Sequence, residues 1–126
     1  KIFNTACKFG VIICYDMVFP NVANIMTKKG AEVLFSPSRI VKRGIKPWQM
    51  YVQVRSLENR IPILAANVEN QRFGGSSIIV DLTENNKVVT TKITKLSKQK
   101  GIAKKFKLDK YEESRKKRFS DFNNFQ

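Results

Sequence analysis

The chain has 126 residues, 42% of them hydrophobic and 10% aromatic, which is one domain's worth of sequence with apolar material for a core. It contains no His, which excludes Ser-His-Asp and Cys-His catalysis, histidine metal ligation and a histidine pH switch. The 24 Lys and Arg against 10 Asp and Glu give a formal charge of +14, which points to an acidic partner, and the two cysteines, Cys7 and Cys14, are too few for a four-thiolate zinc site or a disulfide scaffold.

Cysteine usage of this kind implies a reducing, cytoplasmic compartment. No run of about eighteen apolar residues occurs and the first residues lack the basic-then-apolar layout of a signal peptide, so no membrane span is expected. The chain opens on Lys1 and runs almost directly into a strand pattern, which reads as a fragment or a processed product.

In chain order, Ile2-Phe3, a turn at residues 4–6 and the run from Cys7 to Gly10 make an opening hairpin. Residues 9–15 (FGVIICY) are a short apolar run of the kind found in a strand covered on both faces. Residues 18–29, with Val22, Ile25 and Met26 apolar and Lys28, Lys29 and Gly30 closing, predict a helix. A second strand over residues 31–35 completes a parallel strand-helix-strand unit. Pro47 suits a first helical position, and Trp48, Tyr51, Val52, Arg55 and Glu58 recur at three- and four-residue steps, which predicts a helix over 47–59. Residues 61–66 are a buried-strand pattern. Residues 76–82 and 88–93, joined by a turn at 84–87, predict an antiparallel hairpin. Residues 102–108 read as a further strand, and Asp109 with Glu112 as a capping box opening a helix to about residue 118. Phe119, Phe122 and Phe125 recur in the tail.

Chemistry concentrates at Ile13-Cys14-Tyr15-Asp16, the C-terminal end of a buried strand just before a helix. Open α/β sheets bind ligands at that edge, and a nearby helix N-terminus favours a thiolate. A buried structural cysteine is the ordinary alternative. The run from Phe9 through Gly10, Cys14, Tyr15 and Asp16 to Phe19-Pro20 closely resembles the nucleophile segment of the nitrilase, or carbon-nitrogen hydrolase, superfamily. Gly30-Ala31, Ser36-Pro37-Ser38, Trp48, Arg55 with Glu58-Asn59, Ala66-Asn67, and Gly75-Ser76-Ser77 leading to Asp81 follow in that family's order, so the resemblance covers roughly residues 2–118.

The resemblance implies an α/β fold in which this chain is the C-terminal half of a nitrilase-like αββα sandwich, a mixed and mainly buried β-sheet with helices on one face. It implies a Glu-Lys-Cys triad in which Cys14 is the nucleophile and the backbone N–H of Tyr15 helps to hold the oxyanion. Ser38, Arg39, Glu58 and Asn67 fall in the substrate pocket or support it. The family's glutamate and lysine lie upstream of the cysteine segment. Only thirteen residues precede Cys14 here, none of them Glu, and neither Lys1 nor Lys8 sits in the family's lysine motif. Asn21 and Asn24 stand where a glutamate and an arginine are common in the family, which reads as loss of a local ion pair.

The reaction implied is hydrolysis of a non-peptide amide or carbamoyl amide through a cysteine thioester, with no metal or organic cofactor. The chain alone is expected to be inactive or nearly so. An isolated half would expose the apolar face of a sheet, so an upstream half-domain or a second copy of the chain is the expected partner, within a homo-oligomer. The alternative starts from residues 92–118, where 12 basic and 3 acidic residues carry +9 of the total charge. Such a stretch suits nucleic acid, with Phe106 or Tyr111 as stacking groups, or an interaction module using the phenylalanine stripe, but no nucleic-acid-binding motif accompanies it.

Overall fold

The computed structural model describes residues 1–96 and 101–124. Six strands, β1 (Ile2–Asn4), β2 (Lys8–Val11), β3 (Val33–Ser38), β4 (Ile63–Asn67), β5 (Ile78–Asn85) and β6 (Val88–Lys95), lie side by side in chain order. Three helices, α1 (Pro20–Lys28), α2 (Ile45–Asn59) and α3 (Asp109–Asn123), accompany them, with short 3-10 turns at Cys14–Val18 and Lys42–Gly44. The pair β1–β2 is antiparallel, β2–β3 and β3–β4 are parallel, and β4–β5 and β5–β6 are antiparallel. The mixed α/β sheet and the opening hairpin are those the sequence predicts.

The parallel pairs need crossovers, and α1 and α2 supply them. Both pack on one face of the sheet: Ala23 of α1 and Trp48 and Val52 of α2 share a buried cluster with Ile12, Leu34, Ile63, Ala65, Ile78 and Val80. Burying each such Ile, Leu or Val stabilises the fold by about 1.5–3 kcal/mol. Gly10 lets α1 come close to β2, since a Cβ there would lie 2.8 Å from Met26 Sδ and 2.9 Å from Leu34 Cδ2.

The other face is also apolar but is only partly covered. Phe3 stacks on Phe9 at 5.1 Å between centroids, and Phe9 meets Phe35 edge-on at 5.4 Å. Phe3 and Phe35 remain 38% and 37% exposed. Alongside runs a groove of about 500 Å³ lined by Val11, Phe35, Leu64, Ile79, Leu96 and Ile102.

Several boundaries differ from the sequence reading. The strand expected over 9–15 ends at Val11; Ile12 N–H still reaches Phe35 O at 2.9 Å, and the chain then turns at Cys14. The first helix starts at Pro20 because Met17 and Val18 belong to the preceding 3-10 turn. Residues 102–108 form no strand. Their alternation is real, since residues 102, 104, 106 and 108 are half-buried between exposed neighbours, but it reflects packing without a ladder. Asp109 is the first residue of α3 and Leu108 its N-cap, with no side-chain cap hydrogen bond, so the expected capping box is absent. The helix runs on to Asn123 and includes Phe119 and Phe122, whereas Phe125 lies outside the described residues.

The C-terminal segment is held by a half-buried polar clamp. The Tyr111 hydroxyl donates to Asp81 Oδ1, Lys104 Nζ is 3.1 Å from Asp81 Oδ2, and Leu82 N–H donates to Asp81 Oδ1 at 2.7 Å. Arg115 fastens the same helix to the edge where β3 and β4 begin, donating to Ala31 O at 3.2 Å and Arg60 O at 3.3 Å. Burial opposes the charge on Asp81, but the hydrogen bonds from Tyr111, Lys104 and Leu82 outweigh it and hold the carboxyl below its usual range. Burial and the bond to Asp81 push the Tyr111 phenol up.

A depressed carboxyl pKa fixes the sign of the pH dependence: the clamp's contribution is complete above about pH 4, where unfolded Asp is ionised, and is lost as pH falls through the lower folded value. Acid titration followed by circular dichroism and limited proteolysis is expected to release α3 in that low window. Asp81→Asn should lower stability at neutral pH by about 1–3 kcal/mol, read by urea denaturation, and flatten the acid transition. An unchanged acid midpoint in that variant would contradict the clamp.

Candidate active site

Because β2, β3 and β4 are parallel, their C-terminal ends share one edge; β3 and β4 end at Ser38 and Asn67, and Cys14 stands three residues beyond the end of β2. Val11 pairs with Phe35, and three residues beyond each stand Cys14 and Ser38; Ser38 in turn pairs with Asn67. Cys14 is half-buried and its backbone is left-handed, at φ +47°. A non-glycine residue in that region stores on the order of 1–3 kcal/mol of strain and persists only where its surroundings enforce it.

The enforcement is visible on both sides. Ile12 and Met17 are each 1% exposed and anchor the turn in the core, while Ile13 and Tyr15 between them are 60% and 68% exposed. Tyr15 meets Phe19 edge-on at 5.5 Å, and its backbone N–H belongs to the first turn of the 3-10 segment, where intrahelical acceptors are lacking.

Arg55 of α2 braces the far end of this turn. Its guanidinium, 6% exposed as a residue, donates from Nε to Met17 O at 3.2 Å and from NH2 to Val18 O at 2.8 Å. Its third nitrogen donates to Glu58 Oε2 at 2.9 Å. Glu58 therefore acts on the cysteine turn through Arg55. Asn59 Nδ2 donates to Arg55 O at 2.9 Å and its Oδ1 accepts from Asn24 Nδ2 at 3.3 Å, so Asn24 ties α1 to α2 by a neutral bond. Arg55 belongs to the helical pattern of residues 47–59 but is not among the predicted site residues; a charged residue at the helical step of Trp48 and Val52 is the signal the sequence offers.

At the end of β3, Ser36 and Ser38 are buried with their hydroxyls 3.4 Å apart. Asn67, at the end of β4, is a loop clamp. Its Oδ1 accepts from Ile40 N at 2.6 Å, and its Nδ2 donates to Ile40 O at 3.2 Å and Gly75 O at 2.8 Å. Its backbone N–H donates to Ser77 Oγ at 2.9 Å. Gly75 sits at φ +54°, a conformation glycine adopts without strain, beneath that clamp. Arg39 is exposed and its guanidinium lies 4.8 Å from the centre of the Phe73 ring.

Among the described residues no group of three or more His, Cys, Asp or Glu is placed to hold a metal ion, and no helix is long and apolar enough to cross a membrane. The lysine-rich stretch is partly engaged within the fold: Lys104 pairs with Asp81, Lys110 Nζ donates to Leu82 O at 3.1 Å, and Lys116 pairs with Glu112 at 2.6 Å. Lys98 and Lys100 lie outside the described residues. Phe119 and Phe122 lie under the ammonium of Lys28, at 5.8 and 5.2 Å.

Comparison with known proteins bears on this edge. A citrullinase of Francisella tularensis subsp. tularensis is 37% identical over 99 residues, covering 66% of this chain and 35% of its own length. An omega-amidase of Saccharomyces cerevisiae is 35% identical over 80 residues, covering 59% and 28%. A carbon-nitrogen hydrolase structure from Helicobacter pylori superposes with a TM-score of 0.65 at 24% identity, over 91% of this chain and 45% of that one. The chain thus spans about a third of the length of the curated relatives it matches. The carbon-nitrogen hydrolase family model matches residues 2–92, from β1 through the cysteine turn and α2 into β6, and the chain belongs to that family.

Proposed function

We propose that this chain carries the nucleophile of a carbon-nitrogen hydrolase acting on a non-peptide amide or carbamoyl amide. The observation that carries the reading is Cys14 itself, held at φ +47° three residues beyond the end of β2, with Arg55 gripping the carbonyls of Met17 and Val18 behind it. The Cys14 thiolate attacks the amide carbon, and the oxyanion of the tetrahedral intermediate meets the Tyr15 N–H. The C–N bond breaks and ammonia or an amine leaves with a proton; water then hydrolyses the thioester from an amide to a carboxylic acid, or the thiocarbamate from a carbamoyl amide to a carbamic acid that releases carbon dioxide and its remaining amine or ammonia, and the thiol is restored in both cases. A glutamate serves as acid and base and a lysine stabilises the intermediate; both come from outside the 126 residues, from an upstream half-domain or a companion polypeptide. Among the described residues Phe3 and Phe35 stay 38% and 37% exposed on the sheet face away from α1 and α2.

Three outcomes test the reading. A thiol-reactive probe at neutral pH should label Cys14 faster than Cys7, and equal slow labelling would mark both as structural thiols. Arg55→Ala should slow Cys14 labelling towards the Cys7 rate and lower stability by about 1.5–3 kcal/mol, since it removes charge-assisted hydrogen bonds in the interior. The 126-residue polypeptide alone should show no measurable amidase turnover; turnover abolished by Cys14→Ala would overturn the requirement for outside partners.

A further inference from the structure

A concentration of charge lies at the end of the sheet opposite Cys14. There the C-cap of α2, the turn between β5 and β6 and one side of α3 border a cavity of about 540 Å³. Five cations line it, Arg60, Lys87, Lys110, Lys117 and Arg118, against three carboxylates, Glu84, Glu113 and Asp121, which leaves an excess of two positive charges. Asp121 is engaged by Lys117 at 3.1 Å, whereas among the described residues neither Arg60 nor Arg118 has a carboxylate within 4.0 Å. Burial, and then the like charge of Arg118, hold the Arg60 guanidinium below its ordinary pKa, with Glu84 acting in the other direction.

Two of the cations stand where the backbone favours glycine. Arg60 closes α2 at φ +51°, and Lys87 is the second residue of the two-residue turn between β5 and β6, at φ +67°. Helix ends and tight hairpins ordinarily take glycine at such positions, because a Cβ is disfavoured there. The Arg60 backbone is held in place by Arg115 Nε, which donates to Arg60 O at 3.3 Å, and by Ser56 Oγ, which donates to Ile61 O at 2.6 Å. Guanidinium forks and ammonium groups together suit the oxygens of a phosphate. A phosphate dianion also neutralises the excess of two charges, where a carboxylate would leave one. We infer that this cavity binds a phosphate dianion, free or carried by a small molecule as a monoester, and that the bound anion fastens α3 to α2 and to the β5–β6 turn. The inference is independent of the role of Cys14.

Thermal unfolding of the 126-residue chain tests the inference at about pH 8, where phosphate is a dianion. Tm is measured by circular dichroism in inorganic phosphate, in glycerol phosphate and in sodium chloride at equal ionic strength. A ligand that binds the folded chain raises Tm, so both phosphates should lift it above the chloride value. A larger rise with the ester marks an esterified ligand, and an equal rise marks the free ion. The Kd for inorganic phosphate, from calorimetry, should increase about five- to tenfold in R60G/R118Q, where glycine at position 60 keeps the helix end free of strain. It should stay within about twofold in K105Q/K107Q, which removes the same charge from exposed positions outside the cavity. Equal weakening in the two double variants would reveal attraction to net charge alone and refute the site, as would a phosphate that shifts Tm no further than chloride does. A single-stranded RNA that phosphate fails to displace, and that loses affinity in K105Q/K107Q, would assign the charge to nucleic acid instead and overturn the inference.

Discussion

A single buried guanidinium joins the halves of this site. Arg55 leaves α2 and gives two of its nitrogens to carbonyls at the end of the cysteine turn, so the crossover between β3 and β4 fixes the backbone that follows β2. Those carbonyls lie at the end of a short 3-10 segment, where intrahelical donors run out. A charged donor satisfies them more strongly than a neutral one, and Glu58 offsets the cost of placing that charge in the interior. The left-handed backbone at Cys14 is sustained by this brace together with the burial of Ile12 and Met17.

The parallel arrangement of β2, β3 and β4 does the rest of the placement. Three strands running the same way deliver Cys14, Ser38 and Asn67 to one edge although they are far apart in sequence. The opposite edge serves a structural purpose, with α3 fastened by Arg115 where β3 and β4 begin. The candidate site and the anchoring of α3 therefore occupy opposite ends of the same strands. The Asp81 clamp lies on the anchoring side, and the β5–β6 hairpin runs from there to the edge that carries Asn67, where Ile78 pairs with Ala65 and Ser77 meets Asn67.

The central elements were legible in the sequence because local pattern and tertiary role agree there. The apolar run before Cys14, the helix ending at Gly30 and the Glu84–Lys87 turn each specify their structure within a few residues. Where they disagree, the local pattern misleads. Residues 102–108 alternate as a strand would, but among the described residues they join no ladder, and their alternation records which side packs on the fold. Asp109 and Glu112 have capping-box spacing, yet the helix starts one residue early, which places Asp109 inside the first turn. The Arg55 brace and the placing of Arg39 against Phe73 depend on contacts between distant segments, which spacing does not encode. The resemblance picks out Asn67 as a candidate, but its service as a loop clamp is visible only with Ile40 and Gly75 in place.

The bare side of the sheet and the strong positive charge act on the chain in opposite directions. Apolar surface around Phe3, Phe9 and Phe35 draws like chains together over contact distances, whereas +14 charges hold them apart at long range. The reach of that repulsion is set by counterions: the screening length is about 30 Å at 0.01 M salt and about 8 Å at physiological ionic strength. Colloidal behaviour of the chain is thus governed by ionic strength, with dilute salt favouring dispersed molecules and concentrated salt favouring burial of the aromatic face.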